Sequence, residues 1–242
     1  MSLLFEEIDS QASALGEISL RRRRIPALGD RDIYEVKLGE EFLMSSMFVE
    51  AEEALSTLGL AEVQGDQLSV VVGGLGLGYT AVAALKDERI AELLVVEALD
   101  TVIGWHQDEL VPLGEILNAD KRNRYVHGSF FDLATAPGTG FDPDSAGKKF
   151  DAILLDIDHS PTEFLNAANA SFYTSENLAL MAEQLKPGGV FAMWSQNLPE
   201  ERFEALLRTV FETVESHVIS FYNPFQDRES TNSVYVCVKA GG

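Results

Sequence analysis

The sequence predicts an α/β fold: a mostly parallel sheet with helices on both faces, closed by an antiparallel pair of strands. Three observations carry this. The runs 68–73, 93–96 and 152–155 are apolar without alternation, as strands covered on both faces must be. Helix-compatible segments separate them, which gives the rhythm of repeated βαβ units. The gap Asn223 to Asn232 between the last two apolar stretches holds turn residues and no helix, so the final two strands pair as a hairpin.

Taken in order, residues 1–60 form an N-terminal appendage and residues 61–242 the main α/β domain. The segments 17–25 and 32–38 alternate apolar with polar residues, and Pro26-Ala-Leu-Gly29-Asp30 between them supplies turn chemistry, which predicts a small β-hairpin. Arg21 to Arg24 fall on alternate faces of a strand with acidic neighbours, which favours solvated side chains or internal ion pairs over a nucleic-acid patch. Residues 46–60 read as a helix with Ser46 as N-cap and Val49, Ala54, Leu55 and Leu58 as its apolar stripe. Its acids Glu50, Glu52 and Glu53 read as a solvated face, with the edge of a cleft as the alternative. The main domain predicts strands over 68–73, 92–97, 123–127, 150–156, 189–195, 215–222 and 233–240. Helices are predicted over 78–87, 100–117, 174–186 and 200–213.

The composition narrows the function. Thirty-nine acidic residues stand against 18 basic ones, for a net charge of −21. Such a surface repels phosphate backbones and anionic lipid, so neither nucleic acid nor membrane is the expected partner. It suits a small cation entering a cleft, although solubility alone is the simpler reading of net charge. Cys237 is the only cysteine, which excludes a disulfide framework and a thiolate metal cluster. No histidine spacing resembles a zinc site, so no metal is expected. The start Met1-Ser-Leu-Leu-Phe-Glu-Glu lacks the basic region of a signal peptide, and a cytoplasmic protein is the expectation.

The chemistry gathers at predicted strand ends, where open α/β sheets bind their ligands. Gly73-Gly74-Leu-Gly76-Leu-Gly78 follows the first apolar run, and Glu97 ends the next. Glycines admit close backbone approach, and a carboxylate at a strand tip accepts hydrogen bonds from ribose hydroxyls. Together they predict a nucleoside site lined by Gly73, Gly74, Gly76, Gly78 and Glu97. The tip His127-Gly-Ser129-Phe-Phe-Asp132 is placed to flank an adenine ring through Ser129 and Asp132. A nicotinamide-binding Gly-x-Gly-x-x-Gly would need glycine at position 79, where Tyr79 stands. The tip Asp156-Ile-Asp158-His159-Ser-Pro161 carries more polar chemistry than a strand end needs. Asp156 and Asp158 would share a side if the strand continued, raising one pKa and offering a general base or a cation site. The alternative is that one aspartate caps the turn before Pro161 while the other is solvated. Trp105 and Trp194 read as core or cleft wall, and Gln196 as a residue within reach of the pocket.

The ordered series Gly-Gly-Leu-Gly-Leu-Gly, Val-Val-Glu, Gly-Ser-Phe-Phe-Asp, Phe-Asp-Ala-Ile-Leu-Leu-Asp and Leu-Lys-Pro-Gly-Gly resembles the Rossmann-like class I S-adenosylmethionine-dependent methyltransferase fold. Within it the chain is most similar to the spermidine synthase (polyamine aminopropyltransferase) family, over most of residues 17–240. The resemblance implies that decarboxylated S-adenosylmethionine donates an aminopropyl group to a small amine. It also implies that the glycines line the nucleoside, Glu97 holds the ribose and Asp156 accepts the amine proton, and it allows a homodimer. Asp158 and His159, read from the strand tip itself, complete the candidate catalytic set. The chain departs from the family at four points. Asp156-Ile-Asp158-His159-Ser-Pro161 replaces Asp-x-x-Asp-Pro, and Ala51-Glu52-Glu53 replaces Tyr-His-Glu. Gly76 replaces an acid in the glycine loop, and Gly128-Ser129 replaces Gly-Asp. These departures keep two other functions open: a methyltransferase using intact S-adenosylmethionine on a small molecule, and a catalytically silent nucleoside-binding protein.

Overall fold

A computed structural model of the chain describes residues 4–13, 15–26, 29 and 31–242. Its main sheet has seven strands in the order β10-β11-β9-β8-β5-β6-β7. These are β5 (Leu68–Gly73), β6 (Ile90–Glu97), β7 (Asn123–His127), β8 (Phe150–Leu155), β9 (Leu185–Ser195), β10 (Thr213–Asn223) and β11 (Arg228–Val238). Strands β5 to β9 pair in parallel, while β11 runs antiparallel to β9 and β10 antiparallel to β11. The predicted α/β class and antiparallel ending both hold.

Alternation decides which face each side chain serves. Val70, Val72, Leu93, Val95, Ala152 and Leu154 pack into one core layer. Val71, Leu94, Val96, Ile153 and Leu155 pack into the other. Every one of these is essentially excluded from water, so each strand stabilises two layers at once. Helices α1 (Glu50–Ala61), α2 (Tyr79–Leu85) and α3 (Asp100–Gln107) cover the first face. Helices α5 (Phe130–Ala134), α6 (Ser175–Glu183) and α7 (Glu201–Leu207) cover the second, and α4 (Gly114–Ala119) sits beside α3. Helix α1 packs beside α2 and across β8, β9 and β11. It comes so close that a Cβ on Gly59 would lie 2.9 Å from Leu154 Cδ2.

The structure corrects three expectations. The N-terminal hairpin is half of a four-stranded antiparallel sheet, in the order β1 (Phe5–Ser13), β2 (Gly16–Ile25), β3 (Arg31–Leu38) and β4 (Glu41–Ser45). The outer strands escaped notice because β1 is mostly polar and β4 is five residues long with no alternation. In the turn after β2, Ala27, Leu28 and Asp30 lie outside the described residues. The second correction is that Ser46 does not cap α1. Its hydroxyl accepts the Tyr34 backbone N–H at 2.9 Å, and the helix starts later, after Val49, with no side-chain cap. Third, the helix expected over 100–117 is two, α3 and α4. Pro112 lacks the N–H an unbroken helix would require, and Glu109 turns the chain with φ of 58°.

The arginine run behaves as charge chemistry requires. Arg21 pairs with Glu7, Arg22 with Glu6, Arg23 with Glu35 and Arg24 with Asp32, each across a strand boundary or close to it. The apolar residues Ile18, Leu20 and Val36 of this sheet join the main core. Among the described residues no helix is long and apolar enough to cross a membrane.

Candidate active site

The order of the main sheet reverses between β5 and β8, and ligands bind at such a point beyond the carboxyl ends of the strands. A cavity of about 1090 Å³ opens there, roofed by β4 and flanked by the β10–β11 hairpin. Its volume is at the upper end for small-molecule sites.

The glycine loop forms the floor. Gly74, Gly76 and Gly78 have φ of 95°, 46° and 92°, left-handed values that L side chains rarely adopt. Space is equally restrictive. A Cβ at Gly74 would collide with the Asp156 carbonyl oxygen, and one at Gly76 with Met44 Sδ of β4. Gly74 and Gly76 line the cavity. Gly73 and Gly78 face elsewhere: a Cβ would meet the Phe130 ring at Gly73, and His106 and Leu117 at Gly78. These two glycines therefore act through packing. Two contacts hold the loop from outside, Leu77 N–H to Met44 Sδ at 2.7 Å and the His106 ring to the Gly76 carbonyl at 3.0 Å. Burial lowers the His106 pKa to about 4, so its imidazole is neutral.

Glu97 closes the loop from the β6 side. Its carboxylate accepts the Leu75 N–H at 3.0 Å and the Leu99 N–H at 2.9 Å while lining the cavity. Burial raises its pKa and those N–H groups oppose the rise. Ser129 caps α5 by accepting the Asp132 N–H at 3.3 Å, and both residues line the cavity wall beyond Glu97.

Asp156 lies one residue past β8. Its N–H donates to the Gly73 carbonyl at 2.8 Å, and its carboxylate accepts the Thr80 hydroxyl at 2.6 Å. Burial pushes its pKa up to about 6, against the Thr80 hydrogen bond. Opposite it, from α1, stands Glu52, a second carboxylate lining the cavity. Glu52 is pushed up to about 8, first by burial and then by the Asp156 charge. A hydrogen-bond chain ties Asp156 to the helix that carries Glu52. Ser56, one turn after Glu52, donates to the Thr80 carbonyl at 2.7 Å, and Thr80 in turn donates to Asp156.

Asp158 does not join them. The strand ends at Leu155, and Asp158 turns inward, 2% exposed and outside the cavity lining. It accepts the Leu165 N–H at 2.9 Å, Asn169 Nδ2 at 2.8 Å and the Tyr173 hydroxyl at 2.9 Å. The segment it pins forms a wall of the cavity through Leu165, Asn166 and Phe172. His159 does line the cavity, and its Nε2 sits 2.9 Å from Glu41 of β4, linking the two sheets across the site. Trp194 and Gln196 are wall residues as well, whereas Trp105 is core, donating to Asp9 at 2.6 Å.

Glu52, Thr80 and Met44 were not singled out from the sequence as site residues. A signal for Glu52 was present. Ala51, Leu55 and Ser56 are buried on α1, which places position 52 at the border of the packed face. Thr80 and Met44 carried no such mark, because their roles depend on contacts with distant segments.

No protein-family model matches the chain, and no curated protein sequence matches it. Solved structures do. The spermidine synthase from Thermotoga maritima superposes with a TM-score of 0.70 at 18% identity, over 98% of this chain and 73% of that one. A spermidine synthase in complex with the transition-state analogue AdoDATO superposes with a TM-score of 0.72 at 18% identity, over 98% of this chain and 74% of that one. The fold is spermidine synthase-like.

Proposed function

We propose that this chain is an aminopropyltransferase-like enzyme that uses decarboxylated S-adenosylmethionine as donor and a small cationic amine as acceptor. The observation that carries the reading is Asp156, a half-buried carboxylate beside the glycine loop with its pKa raised to about 6. The fold likeness to a protein solved with AdoDATO supports the donor class. The residues present suit such a donor: Gly74 and Gly76 admit the nucleoside, Glu97 takes ribose hydroxyls, and Ser129 and Asp132 border the adenine. Hydrogen bonds from the loop leave the Glu97 carboxylate with acceptor capacity to spare.

In this reading Asp156 first binds the acceptor as an ammonium and then takes one of its protons. An amine near pKa 10 is no nucleophile until that happens. The freed lone pair forms a bond to the methylene carbon beside the sulfonium, and the carbon–sulfur bond breaks. Its electron pair neutralises the sulfur, which leaves as methylthioadenosine, and the product nitrogen is a secondary ammonium. Thr80 holds the carboxylate in place during the transfer. The cavity encloses both reactants, which converts their encounter into a positioned reaction.

The test is a thermal-shift comparison of S-adenosylmethionine, its decarboxylated form, methylthioadenosine and NAD, followed by amine turnover. A donor at about 100 times its dissociation constant should stabilise the fold by roughly 2.7 kcal/mol. Stabilisation by the decarboxylated form with transfer to an amine is expected. Preference for the intact donor with methyl transfer would overturn the reading in favour of a methyltransferase.

A further inference from the structure

The lining of the cavity is electrically one-sided. Glu52, Glu97, Asp132, Asp156 and Glu229 face it. Among its described lining residues the one fixed positive charge is Arg228, which belongs to the β10–β11 hairpin rather than to the glycine-loop end. At the glycine-loop end two carboxylates meet from different elements, Asp156 from the tip of β8 and Glu52 from α1. The Ser56–Thr80–Asp156 chain ties the Asp156 carboxylate to α1, the helix that carries Glu52. The other acids of the helix are spent elsewhere: Glu53 pairs with Lys86 at 3.1 Å, and Glu50 caps the Val49 N–H at 3.0 Å. Among the described residues no cation pairs with Glu52.

Two half-buried carboxylates facing one end of a cavity are unfavourable unless something positive comes between them. Glu97 places the ribose at one side of the loop, and Asp156 packs against Gly74 at the other. A sulfonium nucleoside seated there directs its charged tail toward Asp156 and Glu52. That tail decides the fit. A primary ammonium relieves the repulsion, whereas a carboxylate adds a third negative charge with no partner.

We propose that Glu52 is the donor-selecting residue of this site: with Asp156 it admits a sulfonium nucleoside whose tail ends in a bare ammonium and rejects one whose tail also carries a carboxylate. This rests on the adenosyl-sulfonium reading above. It gives the selecting charge to α1, since the glycine loop of this chain carries Gly76 and no acid.

The experiment is calorimetric titration at about pH 9, where Glu52 is ionised, of the wild-type chain and of Glu52→Gln, Glu52→Met and Glu53→Gln with three ligands: S-adenosylmethionine, its decarboxylated form and methylthioadenosine. The wild type is expected to favour the decarboxylated form by about tenfold or more, as one unscreened like-charge contact requires. Both Glu52 variants should lose about tenfold of that preference, through weaker binding of the decarboxylated form and stronger binding of the intact one. Glu53→Gln should keep the wild-type ratio. Methylthioadenosine has no charged tail, so its affinity should stay within a few-fold throughout and report an intact nucleoside site. The neutral replacements remove a buried charge, so the fold tolerates them. An unchanged ratio in both Glu52 variants overturns the assignment while leaving aminopropyl transfer standing. Wild-type preference for intact S-adenosylmethionine overturns both together.

Discussion

At the scale of single residues, the site is governed by what burial does to carboxylates. Asp156 and Glu52 titrate as a pair, with pKa values raised to about 6 and about 8. Because Asp156 must be ionised to take a proton, turnover is expected to rise with pH through about 6. A kcat/KM profile from pH 5 to 9 checks this, with a second rise near 8 that Glu52→Gln abolishes. Stability runs the other way. The folded pKa of Glu52 lies above its ordinary value, so the folded state holds a proton that the unfolded chain gives up. Stability therefore falls as pH rises between about 4.5 and about 8, and the fall is complete above that range. Glu52→Gln removes this contribution and should stabilise the ligand-free protein by ~1–2 kcal/mol at pH 8.5, seen as a higher melting temperature. Equal melting temperatures at that pH would count against a buried, charged Glu52. Two substitutions separate binding from chemistry. Asp156→Asn should keep methylthioadenosine affinity within a few-fold while lowering kcat by about 10²–10⁴. Glu97→Ala should weaken donor binding by roughly 1–3 kcal/mol, which titration of the donor measures directly.

At the scale of elements, the strands and the glycine loop were legible because their signals are local. An apolar run without alternation and a glycine cluster can each be read within a few residues. Long apolar strands such as β5 and β8 came out almost to the residue, 68–73 as predicted and 150–155 against an expected 150–156. Features that depend on distant partners were not legible. Strand β1 looks polar and β4 too short until their neighbours are known, and Ser46 looks like a helix cap until Tyr34 claims its hydroxyl. Asp158 shows the limit most clearly. Its spacing from Asp156 suggested a shared face, but the chain leaves the strand at Leu155 and the second carboxylate turns to Leu165, Asn169 and Tyr173. It is a positioning residue for the cavity wall. Asp158→Asn keeps one oxygen for Leu165 and Asn169 but turns an amide on the Tyr173 hydroxyl and removes the charge, so we expect a loss of about 1–3 kcal/mol of stability. Proteolysis within 159–172 should accelerate, and the acceptor KM should rise more than kcat falls. Proteolysis at the wild-type rate would show that the pin is dispensable.

At the scale of the whole molecule, the net charge of −21 and the acid-lined cavity act on the same ligand at different ranges. The diffuse field draws a cationic amine toward the protein, and Asp156 holds it. Salt screens the first far more than the second, because the Debye length is about 8 Å at physiological ionic strength and buried charges are poorly screened. Raising the salt concentration should therefore slow amine association while changing its dissociation rate little, which stopped-flow kinetics resolves.

The cavity also imposes an order on how the chain becomes functional. Its floor comes from the middle of the sequence, at Gly74, Glu97 and Asp156, but its roof is β4 near the start and one flank is the β10–β11 hairpin near the end. Strand β11 inserts between β10 and β9, so neither of the last two strands can dock until the whole hairpin has been made. During synthesis the central parallel strands can collapse around their apolar residues well before this, leaving β9 as an exposed apolar edge. Only the arrival of the final hairpin both covers that edge and completes the cavity wall. Protection from aggregation and competence to enclose a ligand are thus acquired in the same folding step, and a chain stopped short of β11 would lack both.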